Sequence, residues 1–177
     1  VHLIGFEQDG ALLRELFTHD GVGTVVTRES LESIREAKPD DIGALIALIE
    51  PMEAEGVLVH RPRELLEREI DHFFFFFFDG IIVGCAALYA HSEEEAELAC
   101  LAVSQEHREW GYGEQLMKRI ERRAKKAGVK RLFVLTTRTE HWFVERGFKL
   151  GTVDDLPARK RDMYNYQRRS KVLFKTL

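Results

Sequence analysis

Glu97-Leu98-Ala99-Cys100-Leu101-Ala102-Val103, followed by Arg108-Glu109-Trp110-Gly111-Tyr112-Gly113-Glu114, is the stretch whose reading decides the fold. Its first half is a short apolar run bounded by polar residues, the pattern of a strand buried in a sheet. Its second half carries two closely spaced glycines. Beyond them Leu116, Met117, Ile120 and Ala124 recur at helical spacing, with Lys118, Arg119, Glu121, Arg122, Arg123, Lys125 and Lys126 on the solvated side. Residues 114–127 therefore read as an amphipathic helix that Gly128 ends. A strand, a glycine-bearing loop and a helix in that order leave backbone N–H groups unsatisfied at the helix start, where the dipole also favours an anion. Glycines there let the backbone approach phosphates closely, and Arg108 adds a fixed positive charge, so a diphosphate is the natural occupant. The two glycines alone would equally suit a tight strand-to-helix turn.

Working outward, Ser33–Ala37 reads as a strand, and Pro39-Asp40-Asp41 then opens a helix with Ile42, Leu45, Ile46, Leu48 and Ile49 on its apolar face. A second helix runs from about Pro62 to Asp71, after a loop containing His60 and Arg61. Phe73 to Phe78 is six consecutive phenylalanines, which suit a strand only if both sheet faces accept large rings. Asp79-Gly80 is a hairpin turn into the strand Ile81–Tyr89. Glu93-Glu94-Glu95 reads as a solvated turn. Downstream, Arg131–Thr137 is a buried strand, His141–Arg146 a short helix that leaves through Gly147-Phe148, and Lys171–Lys175 a final strand after a basic tail. The resulting order of strand, two helices, three strands, helix, strand, helix, strand predicts a mixed α/β domain.

Composition narrows the function classes. With 177 residues the chain suits one well-cored domain, and no apolar stretch reaches the ~20 residues of a membrane-spanning helix. A net charge of -4 speaks against nucleic acid as the main partner. Seven scattered histidines and two cysteines show no metal-ligand spacing, so no metal is expected. Cys85 and Cys100 each sit in an apolar strand, as buried free thiols of a reducing cytoplasm would. The start, Val1-His2-Leu3-Ile4-Gly5, lacks an initiating Met and the pattern of a signal peptide, as an internal fragment would. Residues 1–33 hold the helix pattern Gly10–Phe17 and a turn and strand over 20–26, too little apolar surface for a core of their own.

The Arg-x-x-Gly-x-Gly pattern after an apolar strand, together with Trp142-Phe143-Val144-Glu145-Arg146-Gly147-Phe148, resembles the acetyl-CoA motifs of the GNAT acetyltransferase superfamily. That resemblance implies a GNAT acyl-CoA N-acyltransferase fold over 34–177, a mixed and mostly antiparallel twisted sheet flanked by helices. Glu97–Val103, Leu132–Arg138, His141-Trp142-Phe143 and Tyr164–Lys171 further resemble the acetyltransferase half of the bacterial N-acetylglutamate synthase family, in which an amino-acid-kinase-like domain comes first. Gly10–Thr18 and 20–24 resemble the end of that domain, so residues 1–33 would be its remnant. The resemblance implies acetyl-CoA as co-substrate and L-glutamate as acceptor, with N-acetylglutamate and CoA as products and arginine biosynthesis as the setting. It leaves self-association open.

It also implies roles. Cys100, Leu101, Ala102 and Val103 would offer backbone groups to the pantetheine arm, while Arg108, Gly111, Tyr112, Gly113 and Glu114 hold the pyrophosphate. On the acceptor side, glutamate's two carboxylates call for cationic partners. The resemblance selects Arg61, Lys160 and Arg168, with Ser170, and Thr137 joins them at the end of its strand. Acetyl transfer to an amine needs a base, and Glu97 is the best candidate: at the edge of a buried strand its pKa is expected to rise towards neutrality. Phe143 stands where many family members have a Tyr acid, so Thr136 or Thr137 is the expected donor to the sulfur or carbonyl. A backbone N–H near Cys100 or Leu101 would meet the developing oxyanion. Two other classes remain: a transferase acting on another small amine or a protein amine, and a non-catalytic acyl-CoA-binding regulatory module.

Overall fold

The computed structural model describes residues 1–5, 7, 9–18, 22–26 and 30–177. The chain divides into two compact units, 1–32 and 33–177. In the first, β1 (His2–Leu3) pairs antiparallel with β2 (Thr24–Val25), and α1 (Ala11–Phe17) connects them in sequence. The Asp20-Gly21 part of the expected turn lies outside the described residues. Glu15 on α1 is buried, with His2 Nδ1 2.7 Å from one carboxylate oxygen and the Val22 and Gly23 backbone N–H groups donating to the other.

The second unit runs β3 (Glu32–Glu36), α2 (Ile42–Ala54), α3 (Arg63–Glu69), β4 (Phe73–Phe78), β5 (Ile81–Ala90), β6 (Glu95–Val103), α4 (Tyr112–Lys126), β7 (Arg131–Thr136), α5 (Glu140–Glu145), β8 (Lys149–Gly151), α6 (Ala158–Asp162) and β9 (Lys171–Thr176). The expected order holds, with two additions. β8 has three residues, too few to show alternation, and α6 is a polar five-residue turn after Pro157 with no apolar face to betray it. The second helix is shorter than its pattern suggested, because Ile70–His72 tighten into a 3-10 turn. α2 runs on through Pro51 to Ala54. Glu95, expected in a solvated turn, opens β6 and pairs with Arg131.

Seven strands form one sheet in the order β3-β4-β5-β6-β7-β9-β8. The pairs β4–β5, β5–β6, β7–β9 and β8–β9 are antiparallel, and β6–β7 is parallel. The alternating side chains of the phenylalanine strand serve both faces: Phe74 and Phe76 join Leu116, Met117 and Ile120 of α4, whereas Phe73 and Phe75 join Leu45 and Ile49 of α2 and Leu66 of α3. Both faces do accept the rings. Phe76 stacks on Tyr112 with centroids 4.0 Å apart. Asp79 and Gly80 both take positive φ, as a two-residue hairpin of opposite-handed turn geometry requires.

Two irregularities position the site. The parallel β6–β7 ladder carries only Glu95↔Arg131, Ala96↔Leu132 and Glu97↔Phe133. Beyond Glu97 no further pair joins these strands among the described residues, although β6 continues to Val103 and β7 to Thr136. One backbone edge of β6 is thereby left without a strand partner. On the other side of β6, Cys85↔Ala102 is followed by Ala87↔Ala99, so Cys100 and Leu101 together oppose Ala86 in a bulge. Cys100 takes φ +49 there.

Candidate active site

Glu97 is the last β6 residue paired to β7, directly opposite Tyr89 on β5, and only 6% exposed. It is no surface carboxylate. Lys160 Nζ of α6 lies 2.7 Å from its Oε2, and His91 Nε2 lies 3.3 Å from the same atom. Burial pushes the Glu97 carboxyl up, but the hydrogen bond from His91 and the charge and hydrogen bond of Lys160 outweigh it, holding the group below the ordinary glutamate value. The expected rise towards neutrality is therefore overturned. Lys160, expected among the cations for the acceptor's carboxylates, turns its ammonium to the carboxylate of Glu97.

Arg61 also faces this region. Burial works against its charge, yet Cys100, Tyr89 and Glu97 lie close enough that its pKa is raised overall. Its guanidinium donates to the Val59 carbonyl at 3.1 Å, and its own backbone N–H donates to Glu53 Oε1. Arg168 donates to the carbonyls of Gly56, Val57 and Leu58, and Arg138 to that of Glu55. Arginines at 61, 138 and 168 thus hold consecutive carbonyls of the 55–59 loop between α2 and α3. Two of the predicted acceptor cations, Arg61 and Arg168, meet at that loop. Ser170 enters through its backbone, its carbonyl accepting from Tyr164 Oη at 2.6 Å.

The glycine-bearing loop is a 3-10 stretch, Gln105–Trp110, and Gly111 turns out of it at φ +80 to start α4. That conformation needs glycine. Gly113 has no such excuse: a Cβ there would meet Trp142 Cζ2 at 3.6 Å and Val103 Cγ2 at 3.7 Å, ordinary contacts, so the protein's own packing does not demand glycine inside the helix. Arg108 is exposed beside this turn. Tyr112 is a core residue, 1% exposed. Glu114 pairs with Lys118 at 2.6 Å and with Arg146 at 3.3 Å. A carboxylate already paired and of the same sign as a diphosphate is a poor direct ligand for one, apart from its backbone.

Neither Thr136 nor Thr137 hydrogen-bonds to Glu97, whose partners among the described residues are His91 and Lys160. Thr136 Oγ1 is spent on the turn into α5, lying 2.7 Å from Thr139 Oγ1 and accepting the Thr139 backbone N–H at 3.0 Å. Thr137 is exposed. Cys85 and Cys100 are free and buried, and the Cys85 thiol donates to the Cys100 carbonyl. Among the described residues no three His, Cys, Asp or Glu side chains gather as a metal site would. No helix among them is long and apolar enough to cross a membrane.

Sequence reasoning missed His91, Tyr89 and Arg138. Tyr89 was accessible in principle, because the β5–β6 hairpin register sets it against Glu97; its hydroxyl donates to Glu69 on α3 at 2.9 Å. His91 offered no signal beyond lying near the same hairpin turn. Arg138 reaches a carbonyl 83 residues away in sequence, and no local pattern encodes that.

Comparison with known proteins bears on this geometry. The amino-acid acetyltransferase of Ralstonia nicotianae is 57% identical over 99% of this chain and 39% of its own length. That of Azotobacter vinelandii is 54% identical over 99% of this chain and 41% of its own. This chain thus spans about 40% of the length of the curated relatives it matches. Among solved structures, N-acetylglutamate synthase from Neisseria gonorrhoeae complexed with coenzyme A and N-acetyl-glutamate is 44% identical, with a TM-score of 0.81 over 96% of this chain and 40% of that one. The same synthase with coenzyme A and L-arginine gives 42% and 0.89, over all of this chain and 40% of that one. The model of the acetyltransferase (GNAT) family matches residues 42–148. Because that match spans more than half of the chain and takes in both the parted β6–β7 seam and the glycine-led start of α4, the chain belongs to the acetyltransferase (GNAT) family.

Proposed function

We propose that this chain transfers the acetyl group of acetyl-CoA to the α-amino group of L-glutamate, yielding N-acetylglutamate and CoA in the first step of arginine biosynthesis in the cytoplasm. The observation that carries the reading is the buried Glu97 carboxylate at the point where β6 and β7 part. The unpaired edge of β6 from Leu98 to Val103, including Cys100, Leu101 and Ala102, offers N–H and C=O groups to a pantetheine arm. The start of α4 offers donors to the pyrophosphate, with Arg108 alongside. Glycine at 113, which packing does not require, supports a ligand's close approach there. A thioester entering between the strands would then lie beside Glu97.

The residues divide the work as follows. Arg61 and Arg168 bind the acceptor's carboxylates by exchanging loop carbonyls for stronger, charge-assisted partners. Glu97 takes the ammonium proton, directly or through a water, as the acceptor displaces Lys160 from it. The backbone at the Cys100 bulge, where φ is +49, turns an N–H toward the carbonyl oxygen on which charge develops. CoA leaves as a thiolate that gains a proton. With Phe143 aromatic but non-acidic and Thr136 committed to its turn, that proton comes from the acceptor nitrogen as the intermediate collapses.

The N. gonorrhoeae synthase, solved with coenzyme A and N-acetyl-glutamate, supports both ligands by likeness. Residues 1–33 are read as the end of a preceding amino-acid-kinase-like domain, a reading compatible with the separate compact unit 1–32 and with the chain's short span relative to its relatives. A second reading, an acyl-CoA-binding module without turnover, draws on the Lys160 ion pair that occupies Glu97. One assay separates them: incubation with acetyl-CoA and a panel of amino acids while free thiol is followed. Thiol release with L-glutamate above all other amino acids is expected. No release with any amino acid supports the module reading, and preference for another amine displaces glutamate.

A further inference from the structure

The Lys160–Glu97 pair has the form of an acceptor amine already seated on its base. Lys160 ends in a primary ammonium on a four-carbon stem, its Nζ is 2.7 Å from Glu97 Oε2, and its side chain is 26% exposed. The carboxylate it sits on is the one beside the parted seam where the acyl thioester is read to lie. From this geometry we infer that Lys160 is a self-acetylation site: in the absence of an acceptor amino acid, the chain transfers an acetyl group from acetyl-CoA to its own Lys160 Nζ. This rests on the transferase reading with Glu97 as base.

The step balances. Glu97 takes one proton from the Lys160 ammonium, and the freed Nζ lone pair attacks the acetyl carbonyl carbon. As the tetrahedral intermediate collapses, the carbon–sulfur bond breaks and the amide carbon–nitrogen bond remains. A second proton leaves Nζ and ends on the CoA sulfur, and the first passes from Glu97 to solvent. His91 touches the same oxygen, has a side chain 14% exposed, and provides the way out. The product is a neutral acetyl-lysine. Glu97 then keeps His91 but loses its cation, which leaves burial freer to make the carboxylate more basic. Acetylation of Lys160 would thus remove the ammonium that an acceptor must otherwise displace.

The test is intact-mass and peptide-mapping analysis of the 177-residue chain after incubation with acetyl-CoA alone, with acetyl-CoA plus L-glutamate, and with CoA alone. One acetyl group per chain on Lys160 is expected with acetyl-CoA alone, slowed by glutamate and absent with CoA. Glu97→Gln should slow it by ~100-fold, the scale of a general base, while leaving background acetylation of the exposed Lys118 and Lys130 unchanged. Lys160→Arg should carry no acetyl group at that position. An unmodified Lys160 in a chain that turns over glutamate overturns the inference alone. Acetylation equal in Glu97→Gln and wild type overturns it as well, since it would be chemical labelling. Neither glutamate turnover nor Lys160 acetylation would instead remove the transferase reading beneath it.

Discussion

Glu97 shows how competing local effects decide a protonation state. Burial alone would keep its carboxyl protonated further up the pH scale, but His91 and Lys160 reverse the direction. With a depressed folded pKa, the pair contributes stability above the unfolded carboxyl's pKa and loses it as pH falls through the folded value. The same sign governs activity: the acid limb of kcat/KM in the wild type should lie below the ordinary glutamate value. Lys160→Met removes the cation and leaves the carboxylate buried with His91, so its acid limb should move upward, towards neutrality. A pH–rate profile of the two proteins checks this, and an unmoved limb would separate Lys160 from the protonation state of Glu97. Sequence alone singled out Glu97 and Lys160 but could show neither their contact nor the direction of the Glu97 shift. Their contact joins β6 to a five-residue helix 63 positions away, and the identity of the neighbour sets the direction of the shift.

At the scale of elements, the start of α4 separates two uses of glycine. Gly111 sits at φ +80, and Gly111→Ala should cost about 1 kcal/mol from backbone strain. Gly113 lies inside the helix with room for a Cβ, so Gly113→Ala should raise stability by about 0.5 kcal/mol through helix propensity. If a pyrophosphate docks there, the added methyl should weaken CoA binding by ~10-fold, equivalent to 1.4 kcal/mol. Thermal melts with and without CoA would read both effects. A stabilised protein with unchanged CoA affinity would contradict the cradle. This element was legible beforehand because strand, glycines and helix are all local signals. β8 and α6 were not, since neither is long enough to develop a periodic face. The bulge at Cys100 and the parting of β6 from β7 were also hidden, because both are properties of pairing between strands.

Across the molecule, the sheet is cored on both faces, by α4 on one and by α2 with α3 on the other. The phenylalanine strand is common to both. Phe76→Ala, a fully buried ring stacked on Tyr112, should destabilise by about 3–5 kcal/mol in denaturant unfolding. Residues 33–177 hold the seven-stranded sheet, save Glu32 at the start of β3, and all the residues around Glu97. A chain lacking 1–32 should accordingly keep its CoA affinity, which calorimetric titration would measure. The order of elements followed from periodicity and turn chemistry, and the family resemblance followed from motifs inside single segments. What lay beyond sequence was the convergence of Arg61, Arg138 and Arg168 on one loop, which only the closed sheet brings about.

The most direct measurement is thiol release from saturating acetyl-CoA with L-glutamate, in the wild type and in Glu97→Gln, alongside the CoA affinity of each. The variant should turn over ~100-fold or more slowly with CoA affinity unchanged, as removal of a general base requires. Equal turnover in the two proteins would contradict the assignment of Glu97 as the base, and with it the reading of the parted β6–β7 seam as the place where the acetyl group is passed.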